Sequence, residues 1–264
     1  MILTIDAGNT TISLGGARAT SSGGYAFSFR GRISSRAAQT SSVLAEELDA
    51  LLSREGVDAA QFRGCVLSSV VPALTQPLLD WGKLRTGREP LLITRLLDTG
   101  LTVALPHPEK VGLDRLVDSA WAAARHPLPA VTVDLGTATT FNVIGEGAVF
   151  LGGIICPGIR TSLRSLQFRT AQLPAITLST PHRIIGRTTE ECMRSGVVGG
   201  AAAMVDGLTA RIEQELGSPV TLLLTGGFSP MVSPLCRHPH LLDPDLLSRG
   251  LAYLYDRNRP LSPS

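Results

Sequence analysis

Two short acidic motifs in this chain have residue types that suit phosphate and cation binding. Asp6 and Gly8 follow the apolar run at residues 1–5, and Asp134 and Gly136 follow a second apolar run at 131–133. An Asp at a strand–turn–strand corner can hold a hydrated Mg²⁺, and a tight glycine turn brings backbone N–H groups close to phosphates. Two such corners in one chain predict a duplicated fold that binds a nucleotide.

A single Asp-x-Gly is more often an ordinary turn, but two copies in the same context favour a functional reading. We expect Asp6 and Asp134 to approach one phosphate tail from opposite sides and to hold cations. The side chains expected to bond phosphate oxygens are those of Asn9, Thr10, Thr137 and Thr139.

A third glycine element, Thr225-Gly226-Gly227, ends the apolar run at 222–224. Taken alone it could simply be the exit of a strand. Because Gly-Gly lets a flat ring or a ribose approach the backbone closely, we interpret it as the adenosine side of the site.

Asp114 and Arg115 begin a predicted helix with the apolar positions Leu116, Val117 and Trp121. The pair could be a helix cap and a surface charge. Alternatively, it could supply phosphoryl transfer with a base for a hydroxyl proton and a cation for the phosphate charge.

Composition limits the possible partners and compartments. The 264 residues have a net charge of +2 and 5% aromatic content, which predicts no nucleic-acid partner. Lys83 and Lys110 are the only lysines, and neither follows a glycine loop, which excludes a P-loop. Four scattered cysteines, no signal peptide and no long apolar stretch predict a cytoplasmic protein with no membrane partner.

The order of predicted elements repeats, which divides the chain into halves at 1–115 and 116–264. Predicted strands lie near 2–6, 11–15, 25–32, 65–70, 91–94, 130–135, 139–144, 147–151 and 220–225. Predicted helices lie near 41–53, 73–80, 158–167 and 189–215.

Shorter signals complete this description. Residues 152–160 read as a loop that leads into a helix, and Thr188 with Glu191 reads as a capping box. The glycines at 196, 199 and 200 predict close helix packing, or a subunit interface. The Pro/Ser/Arg-rich tail from Arg257 is expected to fray.

Taken together in order, these motifs resemble the type III pantothenate kinases of the acetate-kinase, sugar-kinase, heat-shock-chaperone and actin ATPase superfamily. The matching segments are residues 6–10, 68–72, 112–115, 134–140, 152–158, 186–189, 195–196, 225–227 and 246–251. Each segment is short, but the ordered set is specific and runs nearly from end to end.

The resemblance implies an α/β, actin-like (ribonuclease H-like) duplicated fold, with two halves around a central nucleotide cleft. It implies ATP-dependent phosphorylation of the pantothenate hydroxyl, the first step of coenzyme A synthesis. It also implies a homodimer with the site near the subunit interface.

The resemblance assigns roles to particular residues. Asp114 would accept the proton, and Arg115 would stabilise the transferring phosphoryl group. Asp134 would hold the K⁺ or NH₄⁺ that the family requires. The residues implied to contact ATP with Mg²⁺ (or another divalent cation) are Asp6, Ala7, Gly8, Asn9, Thr10, Thr11, Ile12, Ser13 and Thr137. Those implied to contact pantothenate are Leu105, Gly112, Leu113, Asp114, Arg115 and Thr189.

One position departs from the family pattern. Leu105 stands where the family commonly has a Tyr that meets pantothenate, and a lost hydrogen bond typically costs about 0.5–1.5 kcal/mol. This substitution leaves open a non-catalytic nucleotide-binding regulator of transcription, or a kinase for another small hydroxyl compound. Because every expected phosphate-handling residue is present, we favour an active pantothenate kinase.

Overall fold

The computed structural model describes residues 1–35, 41–169 and 173–259. By their internal contacts the residues form two compact units. One contains Met1–Thr99, Val111–Val117 and the residues from Leu247 onward, and the other contains Gly100–Lys110 and Asp118–Leu246. The halves predicted from the sequence repeat, 1–115 and 116–264, stay a prediction.

The first unit is built on a five-stranded sheet with the order β3-β2-β1-β4-β5. Its strands are β1 (Ile2–Ala7), β2 (Thr11–Ala19), β3 (Tyr25–Ser34), β4 (Gly64–Ser69) and β5 (Leu91–Leu92). Its helices are α1 (Ser41–Arg54) and α2 (Pro72–Thr86). Strands β1 to β3 are antiparallel, whereas β1, β4 and β5 are parallel.

The second unit has a six-stranded sheet with the order β11-β10-β7-β8-β9-β6. Its strands are β6 (Thr102–Val103), β7 (Ala130–Leu135), β8 (Ala138–Gly145), β9 (Val149–Pro157), β10 (Thr221–Thr225) and β11 (Leu241–Leu242). Without β6, the order and directions are those of the first sheet. The predicted α/β class and its duplication are therefore confirmed.

The remaining helices are α3 (Leu113–Arg125), α4 (Ile159–Arg169), α5 (Thr189–Arg194), α6 (Gly200–Leu216), α7 (Ser229–Val232) and α8 (Leu246–Asn258). Among the described residues, no helix is long and apolar enough to cross a membrane.

Alternation along the strands explains how each unit buries its core. Leu3, Ile5 and Ala7 of β1 pack in one cluster with the leucines of α1 and α2, so Asp6 points to the opposite face of the sheet. Likewise, Val133 and Leu135 of β7 join the cluster of the second unit, which leaves Asp134 on the opposite face. The two acidic side chains thus occupy equivalent positions in their own sheets.

Several predicted boundaries are wrong for identifiable reasons. The strand predicted at 147–151 begins at Val149, because Glu146–Ala148 forms a 3₁₀ turn with Gly147 at φ 67°. That strand continues to Pro157, so most of the predicted glycine loop at 152–160 is extended strand. The helix predicted over 189–215 is interrupted by a π-helical segment at Ser195–Gly199.

The expected packing of the small residues in this segment holds only in part. A Cβ on Gly199 would lie 2.9 Å from Ile184 Cδ1, which is close packing. Gly196 and Gly200 are exposed, and a Cβ on either would meet no described atom within 4 Å. The predicted cap by Thr188 is confirmed, since its hydroxyl accepts a bond from the Glu191 N–H, while the Glu191 carboxylate accepts one from the N–H of Arg187, one residue before the cap.

The C-terminal helix α8 was not predicted, and the tail expected to fray from Arg257 is helical through Asn258. Arg257 pairs with Asp98 at 2.9 Å, and the Asn258 side chain bonds the Asp98 backbone. These contacts anchor the helix end in the first unit. The tail beyond residue 259 lies outside the described residues.

Candidate active site

The turn between β1 and β2 forms the first acidic corner. The Gly8 N–H donates to the Thr11 carbonyl oxygen at 3.0 Å and closes the turn, which leaves Asn9 and Thr10 exposed at its tip. Ser35 braces the turn, because its hydroxyl donates to the Gly8 oxygen at 2.6 Å. The corner therefore presents a half-buried carboxylate, Asp6, beside exposed amide and hydroxyl groups.

Two of the predicted ATP-contacting residues can offer only backbone groups. Ala7 and Ile12 are fully buried in the hydrophobic core of the first unit. Thr11 and Ser13, on the other face of β2, are half-buried. A ligand at this corner would therefore meet backbone N–H groups and alternate side chains of β2.

The turn between β7 and β8 repeats this construction. The Gly136 N–H donates to the Ala138 oxygen at 3.0 Å, and Thr137 is exposed at the tip. In the first corner the Ala7 oxygen accepts from the Val70 N–H at 3.0 Å, and here the Leu135 oxygen accepts from the Phe228 N–H at 3.1 Å. In both units, the chain leaving the neighbouring parallel strand hydrogen-bonds to the residue after the Asp.

One expected phosphate contact is not available in this arrangement. Thr139 is fully buried, opposite Leu135 on the core face of the sheet. Its hydroxyl oxygen has no hydrogen-bond partner among the described residues. Thr139 therefore faces away from the side on which Asp134 lies.

The segment around Gly158 explains why a glycine occurs where β9 leads into α4. A Cβ at Gly158 would lie 2.6 Å from the Gly136 oxygen, too close for any side chain. From the next helical turn, the Thr161 hydroxyl donates to the Thr137 oxygen at 3.0 Å. The start of α4 thus packs directly on the second corner and fixes its backbone.

Gly226 has a structural role that sequence reasoning missed. It has φ 89°, and a Cβ there would collide with Asp134 Oδ1 and lie 2.6 Å from the Leu135 nitrogen. The strand exit at 225–227 therefore closes over the Asp134 carboxylate, and the absence of a side chain makes room for it. Asp134, Thr137 and Gly226 belong to one corner.

We predict that Gly226→Ala disrupts this corner. A positive φ costs an alanine about 1–2 kcal/mol, and overpacking against Asp134 and Leu135 adds about 1–3 kcal/mol. Gly217→Ala is the matched control, because Gly217 has φ 71° and nothing within 4 Å of its Cβ position. Urea unfolding should show a larger loss of stability in Gly226→Ala than in Gly217→Ala. Calorimetry should show weakened nucleotide binding in Gly226→Ala alone. Wild-type binding by that variant would contradict the role.

Asp114 and Arg115 lie at the start of α3, but Asp114 is not the helix cap. The helix begins at Leu113, and Asp114 Oδ1 accepts a hydrogen bond from the Arg115 N–H at 2.9 Å. A Cβ on Gly112 would lie 2.5 Å from the same oxygen. Gly112 therefore leaves room for the carboxylate to fold back over the first turn.

The electrostatics of this pair suit a base beside a cation. Both side chains are half-buried, and burial lowers the pKa of the Arg115 guanidinium while the neighbouring Asp114 charge opposes that shift. Because an arginine in a protein is not deprotonated near neutral pH, Arg115 keeps its charge despite this shift. The approach to the helix is held by Arg95, whose guanidinium donates to the Val111 oxygen at 2.7 Å.

Two predicted substrate contacts lie in the second unit. Leu105 follows β6 and is half-buried, with its Cδ2 3.4 Å from where a Cβ on Gly152 would sit. Thr189 is exposed at the first residue of α5. Their contact with a substrate stays a prediction.

Each acidic corner suits a cation that takes most of its ligands from water or phosphate rather than from the protein. The described residues contain no group of three or more His, Cys, Asp or Glu side chains that could hold a metal. A single carboxylate suits Mg²⁺, which usually retains several waters and takes one or two carboxylates with phosphate oxygens. The donor sets at Asp6 and Asp134 are compatible with that mode.

Comparison with protein families gives one match that covers most of the chain. The family model described as type III pantothenate kinase matches residues 2–211. The type III pantothenate kinase of Moorella thermoacetica is 36% identical over 98% of this chain and 100% of its own length. That of Rhizorhabdus wittichii is 38% identical over 97% of this chain and 98% of its own.

Solved structures with low sequence identity share the fold. A Campylobacter jejuni protein described as a Baf family transcriptional activator has a TM-score of 0.59 at 17% identity, over 98% of this chain and 100% of its own. A Sinorhizobium meliloti protein described as a 2-dehydro-3-deoxygalactonokinase has a TM-score of 0.57 at 13% identity, over 100% and 99%. These likenesses support the actin-like sugar-kinase architecture.

Proposed function

The chain belongs to the type III pantothenate kinase family, and on that premise we propose that it transfers the γ-phosphoryl group of ATP to the hydroxyl of pantothenate. This reaction yields 4'-phosphopantothenate and begins coenzyme A synthesis. The observation that carries the proposal is the family match over residues 2–211, which includes both acidic corners and the start of α3.

Asp114 is the proposed general base. A carboxylate in hydrogen-bond reach of the substrate hydroxyl accepts its proton as the oxygen attacks phosphorus. The bond from the Arg115 N–H holds Asp114 Oδ1, which leaves Oδ2 for the substrate. Arg115 is the proposed cation for the charge on the transferring phosphoryl group.

The proposed ATP contacts are residues 6–13, Thr137, Gly226 and Gly227. Exposed backbone and hydroxyl groups at both corner tips support hydrogen bonds to phosphate oxygens. A divalent cation held at Asp6 and a K⁺ or NH₄⁺ held at Asp134 would neutralise phosphate charge. The β1–β2 and β7–β8 turns, whose backbones are held by hydrogen bonds, would orient the nucleotide.

The proposed pantothenate contacts are Leu105, Gly112, Leu113, Thr189 and the Asp114–Arg115 pair. Leu105 offers an apolar surface in place of the hydroxyl that the family commonly has there. Gly112 keeps the backbone bare beside the reacting carboxylate. The expected consequence of Leu105 is a higher KM for pantothenate, with the phosphoryl-transfer groups unaffected.

We further propose a cytoplasmic homodimer with the site near the subunit interface. Ile184 and Ile185 are 71% and 78% exposed, shortly before Thr189 in the chain. Adjacent exposed isoleucines, with the uncovered glycines at 196 and 200, suit burial against a second copy.

The proposal is tested by measuring ADP release with and without pantothenate, in K⁺ and in Na⁺ buffer. We expect pantothenate to stimulate ADP release, and K⁺ to support a higher rate than Na⁺. Nucleotide binding with no pantothenate-dependent ADP in either salt would reject the kinase in favour of a regulator. Stimulation by a different hydroxyl compound alone would reject pantothenate as the substrate.

A further inference from the structure

Each acidic corner contains a row of three polar side chains across neighbouring strands. Asp6 of β1 is paired with Ser13 of β2 and with Ser68 of β4. In the second unit, Asp134 of β7 is paired in the same way with Thr140 of β8 and Thr225 of β10. Both carboxylates thus have a hydroxyl residue directly opposite on each side.

The three side chains of a row lie on one face of their sheet. Residues paired directly across two strands point to the same side, and successive residues alternate. Cys65 and Leu67 of β4 belong to the core cluster of the first unit, so Ser68 points away from that core, as Asp6 does. Leu222 and Leu224 of β10 belong to the core of the second unit, so Thr225 points to the side of Asp134.

Ser68 and Thr225 are the buried members of the two rows. Ser68 is 0% exposed and its Oγ has no hydrogen-bond partner among the described residues, whereas Thr225 is 3% exposed. A buried hydroxyl without a hydrogen-bond partner destabilises the folded chain. The Ser68 hydroxyl, buried without a partner beside the Asp6 carboxylate, is therefore well suited to accept a hydrogen bond from a ligand bound there.

We propose that Ser68 and Thr225 are positioning residues for the cations, Ser68 for the divalent cation at Asp6 and Thr225 for the monovalent cation at Asp134. Each hydroxyl accepts a hydrogen bond from a water that the cation retains, and so orients the hydrated ion against the carboxylate. The inference rests on the proposed function, because that function assigns one cation to each Asp.

The assignment predicts that two variants lacking one hydroxyl each impair the binding of different cations. With a non-hydrolysable ATP analogue present, Ser68→Ala should weaken Mn²⁺ binding by about 10–100-fold, the usual loss when a partner of a metal-bound group is removed. The melting temperature of this variant should be higher in K⁺ than in Na⁺ by the same amount as in the wild type. Thr225→Val should lose that rise and bind Mn²⁺ normally. Electron paramagnetic resonance of free Mn²⁺ and thermal unfolding give both readouts without turnover.

Two further variants separate positioning from folding. Thr209 in α6 is also fully buried with an unpartnered hydroxyl oxygen, so Thr209→Val should change neither cation response. Thr225→Ser keeps the hydroxyl and should retain the response to K⁺.

Different outcomes would overturn the roles of Ser68 and Thr225 and the cation sites of the proposed kinase. The positioning role is overturned if the Ser68 and Thr225 variants bind Mn²⁺ and respond to K⁺ as the wild type does. It is also overturned if either variant weakens Mn²⁺ binding and the response to K⁺ equally. If the wild-type complex shows neither Mn²⁺ binding nor a difference between K⁺ and Na⁺, the assigned cation sites themselves are wrong.

Discussion

Replacing Asp114 by Asn should lower kcat by about 10²–10⁴-fold and leave ATP affinity nearly unchanged. Asparagine keeps the size of the side chain and an oxygen that can accept the Arg115 N–H bond, but it cannot take a proton from the substrate hydroxyl. Steady-state kinetics and calorimetric ATP binding on the same preparation measure the two effects separately.

Asp80→Asn provides the matched control for this prediction. Asp80 is an exposed residue of α2 in the same unit, hydrogen-bonded only to Gln76 in the contacts described, so its charge loss should leave kcat unchanged. Equal loss of ATP binding and kcat in Asp114→Asn would make Asp114 structural and contradict its role as base.

Replacing Arg115 by Met should lower kcat by about 10³–10⁵-fold, the range for an arginine that stabilises a transferring phosphoryl group. Methionine preserves the apolar contacts of the side-chain stem but removes the positive charge. Because Arg115 is half-buried, that charge acts on the phosphoryl group more strongly than it would in bulk water. Single-turnover kinetics would show the loss in the chemical step.

Arg125→Met, at the opposite end of α3, is the control for Arg115. Arg125 is exposed and its guanidinium lies 5.6 Å from the Trp121 ring centroid, so its removal should leave the chemical step unchanged. If Arg115→Met only raised KM with kcat intact, Arg115 would bind substrate and transition state equally.

The acidic corners were predictable because their signals are local. Asp6 and Asp134 each end a short apolar strand and precede a glycine, and hydrogen bonds between near neighbours close both turns. The order of the longer strands also followed from local periodicity. The strand bounds at 130–135 match those predicted, because Pro129 and Gly136 mark the two ends of this segment.

Long-range packing set what the sequence could not reveal. Helix α8 is fixed by Asp256, which bonds the Tyr25 hydroxyl at 2.8 Å and pairs with Arg63 at 2.5 Å, although both partners are far away in the chain. Strands β6 and β11 have two residues each, too few for any periodic pattern.

The role of Gly226 was hidden for a related reason. Its contact with Asp134 depends on β10 being the parallel neighbour of β7, and no residue type in either strand specifies that pairing. The same pairing brings Thr225 beside Asp134, and the equivalent pairing of β1 with β4 brings Ser68 beside Asp6. Hydroxyls that flank the acids are therefore visible only once the sheet order is known.

The identity of the phosphorylated product tests the kinase assignment most directly. Wild-type protein incubated with ATP, Mg²⁺, K⁺ and pantothenate would be analysed by ³¹P NMR and mass spectrometry. We expect a new phosphomonoester on pantothenate that accumulates in step with ADP. ADP that forms with free phosphate and unmodified pantothenate, or no ADP at all, would contradict the account.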